Sequence, residues 1–373
     1  MGTYRLLLAA MVMSSHIGFL PVAGFNQGPV AVISFYLISG YVMTMLMQKH
    51  FSTVGRVPFF YIDRAARLLP QLYFYMLMAL LLVSIAAVPV EYLSKCNAKT
   101  VALNFLVVPL DFFNHWKPLR DVGYCQLDPP AWSIGLEITF YLFAPAIVLL
   151  PKLTRVAAVI SIAIFLYAWL GFVHVFVFGY SLLPGTLFMF LVGASFAKPD
   201  LIHRKLPLIV WLCAAIISAA VWNFPALAAE PLNYEIPIGL IIGIPALAAL
   251  SRLATPDSAS RWSALYRLDG LLGNYSYGVF LNHYLLIWLA LLAGINLGDH
   301  LVAFALASLA LSAFSFHVIE APALKLRRAF RYKTETTTYS TFTKKRADWP
   351  NLRGGEPVGQ RHVTAGRQDI PQT

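Results

Sequence analysis

The chain has 373 residues, of which 59% are hydrophobic and only 12% charged, whereas a soluble domain carries about a quarter charged residues. That composition, with a mean hydropathy of +0.68, excludes a soluble globular domain and implies a protein solvated by lipid. The formal charge of +11 calls for no nucleic acid, because basic loops beside anionic lipid account for it.

Apolar runs of about 17–25 residues each cross a hydrocarbon core of about 30 Å. With no water there, each must satisfy its own backbone as a helix. Ten spans are predicted, at 5–22, 28–48, 68–88, 131–150, 156–174, 181–197, 207–223, 235–251, 271–293 and 301–320. The fold class is therefore all-α, a polytopic membrane helical bundle of about ten transmembrane helices. Of the 28 Lys and Arg residues, 24 fall in the terminal segments and alternate connections of one side. The other four (Lys95, Lys99, Lys117 and Arg120) share one long loop, so the excess of positive charge puts both termini in the cytoplasm. Residues 1–325 read as one membrane-embedded domain. Residues 326–373, polar and without periodicity, read as a basic, disordered cytoplasmic tail, with Lys344-Lys345-Arg346 a solvated or lipid-touching patch.

In the first span, Arg5 and His16 lie eleven positions apart, about 20° from three full helical turns and about 16 Å along the axis. Arg5 is expected at the membrane surface and His16 deep in the bundle, where an ionisable side chain is a functional candidate by default. A core histidine bonded to a backbone carbonyl is the plainer alternative. A signal peptide cleaved after Pro21-Val22-Ala23 is a second, but it would scatter the basic loops over both sides.

The loop after the second span holds Arg64-Ala65-Ala66-Arg67, two guanidinium groups that can grip phosphate oxygens or merely form a positive flank. The long loop 89–130 contains Cys96 and Cys125, which could pair in an oxidising compartment or remain free thiols. Its Trp116, Tyr124, His115 and Asp128 could cap a site, or the loop could be a simple lid. Cys213 lies in a span as an inert packing residue. The fourth span opens Trp132-Ser133-Ile134-Gly135-Leu136-Glu137 and continues to Phe140-Tyr141. A carboxylate at the depth of Glu137 must be protonated, paired or hydrogen-bonded, and His16 is its expected partner by depth. The ninth span carries Ser276-Tyr277 and Leu281-Asn282-His283, whose amide and imidazole suit either helix-helix hydrogen bonding or substrate contact. Glu320, near the inner surface, is expected to pair with an arginine. No metal site is expected.

Taken together, these segments resemble the integral-membrane acyltransferase 3 family. The carrying motifs are Arg5/His16, Arg64/Arg67, Trp132-Ser133 with Glu137 and Phe140-Tyr141, and Ser276-Tyr277 with Leu281 and His283. Phe35-Tyr36-Leu37-Ile38-Ser39-Gly40-Tyr41 is also similar, and the likeness covers about residues 1–325. Members usually carry an Asp and a few more residues before the first arginine, so a longer natural N-terminus is among the expectations. Many also carry an extracytoplasmic esterase-like domain, without which transfer would occur in the bundle or through a separate protein.

The resemblance implies a membrane-bound O-acyltransferase of the bacterial cytoplasmic (inner) membrane. It would move an acyl group, usually acetyl, from cytoplasmic acetyl-CoA or another acyl-CoA to a hydroxyl of an extracytoplasmic sugar or lipid-linked glycan. Arg5, Arg64 and Arg67 would bind the CoA phosphates, and the extended pantetheine arm is comparable to the Arg5-to-His16 rise of about 16 Å. His16 and Glu137 would be the catalytic pair, with Glu137 orienting the imidazole as the acid does in a Ser-His-Asp arrangement, or with the roles reversed. Trp132, Ser133, Tyr277, Asn282 and His283 are the substrate or oxyanion candidates. The alternative class is a proton-coupled transporter or glycan exporter using Glu137, His16 and His283 as a relay. No repeated halves of the kind common in transporters are visible. An inert membrane anchor would not collect polar residues at one depth.

Overall fold

The computed structural model describes residues 1–18, 25–86, 88–113, 116–228, 230–253 and 263–327. The chain divides into two units, Met1–Lys325 and Leu326–Thr373. His115, the proposed cleavage site and the tail from residue 328 lie outside the described residues.

The architecture is helical throughout, with no strand among the described residues. The long helices are α1 (Gly2–His16), α2 (Gln27–His50) and α3 (Val57–Ile85). The long loop contributes two short ones, α4 (Ala98–Leu106) and α5 (Pro109–Phe112). There follow α6 (Ala131–Leu149), α7 (Pro151–Trp169), α8 (Leu183–Ala197), α9 (Leu206–Asn223) and α10 (Leu232–Leu253). Last come α11 (Ser263–Leu292) and α12 (Leu301–Ser315), which a π-helical stretch at Phe316–Glu320 extends. Nine helices among the described residues are long and apolar enough to cross a membrane. The tenth expected span differs: α1 begins at Gly2 and stops at His16, where Gly18 takes a φ of 78°. Its 15 residues rise only about 22 Å, so His16 sits in the last turn rather than mid-helix.

The ends of the bundle are tied by different contacts. At the basic end, Lys198 donates to the Val148 carbonyl, and Arg155 to that of Asp200. At the opposite end, Trp169 and Asn233 exchange hydrogen bonds at 3.2 and 3.0 Å, and the Asn26 amide donates to Glu235. The 89–130 loop covers this second end.

α2 is the spine, packed against α1, α8 and α10. Gly40 and Gly193 let α2 and α8 touch backbone to backbone, since a Cβ on either would collide with the carbonyl of Phe190 or Leu37. Small residues permit such approach where lipid removes the hydrophobic drive between helices. Beside this crossing, Phe140 stacks on Phe190 at 4.3 Å, and Tyr36 on Phe190 at 4.9 Å.

Inside the loop, Cys96 and Cys125 are bridged. Fully buried Asn104 binds the carbonyls of Thr100 and Cys125 and accepts from the Leu127 amide. Tyr92 meets Tyr284 of α11 edge to face at 5.9 Å, seating the loop on the bundle. Cys213 departs from expectation: it is exposed on the outer face of α9 rather than packed inward. Alkylation of the unfolded protein should therefore label one cysteine before reduction and three after. Closing a loop of this length contributes about 3 kcal/mol, so Cys96→Ser should lower the melting temperature. Three labelled cysteines without reductant would refute the bridge.

Candidate active site

At the basic end the sequence placed Arg64 and Arg67 in a loop; the structure puts both on α3. Pro58, in the first turn, starts that helix about ten residues early because proline lacks the N–H the first turn leaves unbonded anyway. Arg64 is buried and donates through Nε and Nη2 to its neighbour Asp63. Arg67 forms an ion pair with Glu320, whose residue is fully buried, as expected of Glu320. The π-helical stretch ends at Glu320 and turns it toward α3. Arg67 also lies 5.9 Å from the ring centre of Tyr277. Neither guanidinium is merely a solvated flank.

Arg5 corrects a second expectation. Its charge faces Glu137, Tyr141, Arg64 and Asp269, so it looks into the bundle instead of standing at the membrane surface. Glu137 thus has a basic group within electrostatic reach. Glu137 Oε1 accepts from Ser39 Oγ at 2.6 Å and from the Tyr141 hydroxyl. The expected Glu137–His16 pair does not form.

His16 instead pairs with His283. His16 Nδ1 and His283 Nε2 are 3.1 Å apart, and the rings stack with centroids 5.1 Å apart. Tyr284 closes the third side, 5.0 Å from His16 and 5.2 Å from His283. His283 is fully buried, whereas His16 is exposed. The cause is the parallel packing of α1 on α11. Gly2 and Gly273 meet where a Cβ on Gly273 would lie 2.7 Å from the Gly2 Cα. Asp269 accepts from the amides of Gly2 and Thr3, a carboxylate capping a helix N-terminus from another helix. With the helices clamped at that end, His16 and His283 come level at the other. Among the described residues Glu137 joins neither imidazole by a direct hydrogen bond, bonding Ser39 and Tyr141 instead.

The remaining candidates divide. Asn282 donates to the Ser308 carbonyl and accepts from its hydroxyl, so it joins α11 to α12. Tyr277 donates to the Leu68 carbonyl at 3.0 Å, and Ser133 to that of Pro130 at 2.9 Å. Those three groups are committed to structure. Trp132 is half-buried, its ring tilted against that of Tyr180 with centroids 5.3 Å apart, and its indole N–H makes no hydrogen bond among the described residues. Sequence reasoning missed Asp63, Ser39, Tyr284 and Asp111. Of these, Asp63 stood beside a named arginine, and Ser39 lay inside a quoted segment. Asp111 and Asp128 are buried in the loop, and no carboxyl oxygen of either has a hydrogen-bond partner among the described residues. Burial pushes the Asp111 carboxyl up to about 8 and that of Asp128 well above the usual carboxylate range. No cluster of three metal-ligating side chains occurs among the described residues.

Comparison with known proteins agrees with the architecture. A family model described as an acyltransferase domain matches residues 4–318. An uncharacterised protein of Aquifex aeolicus is 32% identical over 51% of this chain and 83% of its own. The peptidoglycan O-acetyltransferase OatA of Listeria monocytogenes is 26% identical over 76% of this chain and 48% of its own. A putative O-acetyltransferase of Staphylococcus aureus is 29% identical over 34% of this chain and 21% of its own. The chain thus spans about half the length of the Listeria protein. No solved structure matches.

The buried Arg67–Glu320 pair gives a direct stability test. Glu320→Gln removes one charge from a largely buried ion pair, and breaking such a pair costs about 3–5 kcal/mol, whereas replacing both partners by apolar residues is often neutral. Thermal unfolding in detergent should show a large loss for Glu320→Gln and recovery in the Arg67→Met/Glu320→Met double variant. A double variant as unstable as the single one would contradict the pairing.

Proposed function

Because this chain belongs to the acyltransferase family whose model it matches over residues 4–318, we propose that it transfers an acyl group, most simply acetyl, from acyl-CoA to a hydroxyl of an extracytoplasmic glycan. The site of action would be the bacterial cytoplasmic membrane, consistent with its apolar helices and with relatives that are all bacterial. The names of two relatives, peptidoglycan O-acetyltransferase and putative O-acetyltransferase, support acetyl as the group and a glycan as the acceptor.

The observation that carries the reading is the exposed His16 backed by the buried His283. Two neutral imidazoles sharing one hydrogen bond need one donor and one acceptor. We assign the His283 proton to Nδ1, the ring nitrogen that is not engaged with His16. Its Nε2 then accepts from His16 Nδ1–H. That arrangement leaves the His16 Nε2 lone pair on the open side, where a general base must have it. In the proposed reaction the acceptor hydroxyl gives its proton to His16 Nε2 as its oxygen attacks the thioester carbonyl. The C–S bond then breaks, and the CoA thiolate leaves with the proton from His16. The Trp132 indole N–H, uncommitted elsewhere, is the available oxyanion donor.

Arg64 and Arg67 would bind the CoA phosphates at the opposite end. Each guanidinium has five donors, more than a single carboxylate occupies, so Asp63 and Glu320 orient these arginines without exhausting them. Arg5, facing Glu137, would hold the interior between the two ends.

General bases contribute roughly 10²–10⁴-fold, so His16→Ala should reduce transfer by that order in purified protein supplied with radiolabelled acetyl-CoA and envelope glycan. His283→Ala should lose at least ten-fold through misorientation of His16. Wild-type acetylation by a correctly inserted His16→Ala variant would end this proposal.

A further inference from the structure

We propose that Asp111 and Asp128 form, beneath the disulfide-bridged loop, a subsite that binds hydroxyl groups of the acceptor carbohydrate; this inference rests on the glycan acceptor proposed above. Asp111 and Asp128 are only 2% and 3% exposed, and all four of their carboxyl oxygens lack a hydrogen-bond partner among the described residues. Leaving one buried polar group unsatisfied costs about 1–3 kcal/mol. Two such groups in one loop carry that cost with no bond in return. Orphaned buried polar groups ask for an explanation, and a ligand that arrives with hydroxyls supplies one.

Their placement relates them to the reacting groups. Asp111 lies on α5, and a Cβ on Gly135 would sit 3.1 Å from its amide nitrogen, two residues along α6 from Glu137. Tyr36 is within electrostatic reach of both Asp111 and Glu137. Asp128 leads into α6 and is within reach of Tyr284, the residue packed on His16. Asp111 thus lies against α6 close to Glu137, and Asp128 leads into the same helix. Trp132 begins the same helix, and its half-buried indole, tilted against Tyr180, offers the apolar surface that the C–H face of a pyranose needs.

The chemistry of the two groups selects the ligand class. Held above the usual carboxylate range by burial, each carboxyl keeps an O–H donor and a C=O acceptor. A sugar hydroxyl is likewise donor and acceptor. A phosphate or carboxylate ligand would find no compensating cation among these groups. The subsite therefore belongs to the neutral acceptor rather than to the CoA end of the reaction, whose phosphates the arginines suit.

The test uses cells lacking the chromosomal gene, complemented with the full-length wild type, His16→Ala, Asp111→Leu, Asp128→Leu or the two matching Asn variants. Ester-linked acetate released from the envelope by mild base is measured, and each purified protein is melted in detergent. Both leucine variants are expected to lower ester acetate at least ten-fold while melting at or above the wild-type temperature, since they remove an unsatisfied polar group. The asparagine variants, which keep a donor and an acceptor, are expected to retain most of the signal. Wild-type acetate levels in the leucine variants would overturn the subsite, as would melting temperatures that fall together with transfer. So would a wild-type melting temperature raised by millimolar calcium and insensitive to calcium in the leucine variants, which would assign a cation instead. If the wild type releases no more ester acetate than His16→Ala, the acyltransfer reading itself fails, an outcome distinct from failure of the subsite alone.

Discussion

The clamp between α1 and α11 decides where every candidate catalytic group stands. Gly2 and Gly273 bring the two backbones into contact, and Asp269 receives the first amides of α1. The register so fixed sets His16 level with His283 one helix-length away. Helix association in lipid depends on close packing and interhelical hydrogen bonds, not on an apolar driving force, and this contact uses both. A shift of α1 by one residue would rotate His16 by about 100° and remove it from its partner. The short helix is therefore positioned by its beginning for the sake of its end.

Charge is handled differently at the two ends. Near the arginines the buried carboxylates have basic neighbours: Asp63 with Arg64, Glu320 with Arg67, and Glu137 facing Arg5. Such pairs avoid the severe cost of a lone buried charge, and they hold long, flexible side chains in one geometry. Beneath the loop, Asp111 and Asp128 have no such partners. One end is electrostatically complete, and the other is left with hydrogen-bonding capacity to spare. In the proposed reaction, where one substrate is highly anionic and the other a neutral polyol, that division matches each end to its substrate.

Much of this was legible in the sequence, and the misses share a cause. Span positions follow from hydropathy because lipid enforces helix formation, so α2 and α6 through α12 lie close to their predicted ranges. The start of α3 was missed because Asp63, Arg64 and Arg67 break the apolar run of Val57–Arg67, which hydropathy cannot distinguish from a loop. The Arg67–Glu320 contact and the Cys96–Cys125 bridge were foreseeable from depth and compartment alone. The His16–Glu137 pairing was inferred from depth too, and there depth misled. Residues at similar depth on different helices meet only if the helices are neighbours. Nothing in a single sequence says that α1 lies against α11 rather than with its histidine turned toward α6. For the same reason Asn282 and Tyr277 read as open candidates until α12 and α3 were seen to occupy them.

Replacing a carboxylate by an imidazole behind the base has a mechanistic consequence. In a Ser-His-Asp arrangement the acid stabilises the imidazolium that forms. His283, fully buried, can orient His16 through one hydrogen bond but, being an imidazole, carries no carboxylate charge. An imidazolium at His16 would thus be poorly compensated, so in the proposed reaction it must be short-lived. Proton uptake from the hydroxyl and proton return to the departing thiolate would then be closely coupled, with the acceptor oxygen, the thioester and His16 Nε2 held together at once. The site as built favours that course: the base is exposed at its tip, its orienter is rigid, and the loop bearing the two unsatisfied carboxyls reaches α11 through the contact of Tyr92 with Tyr284, beside His16.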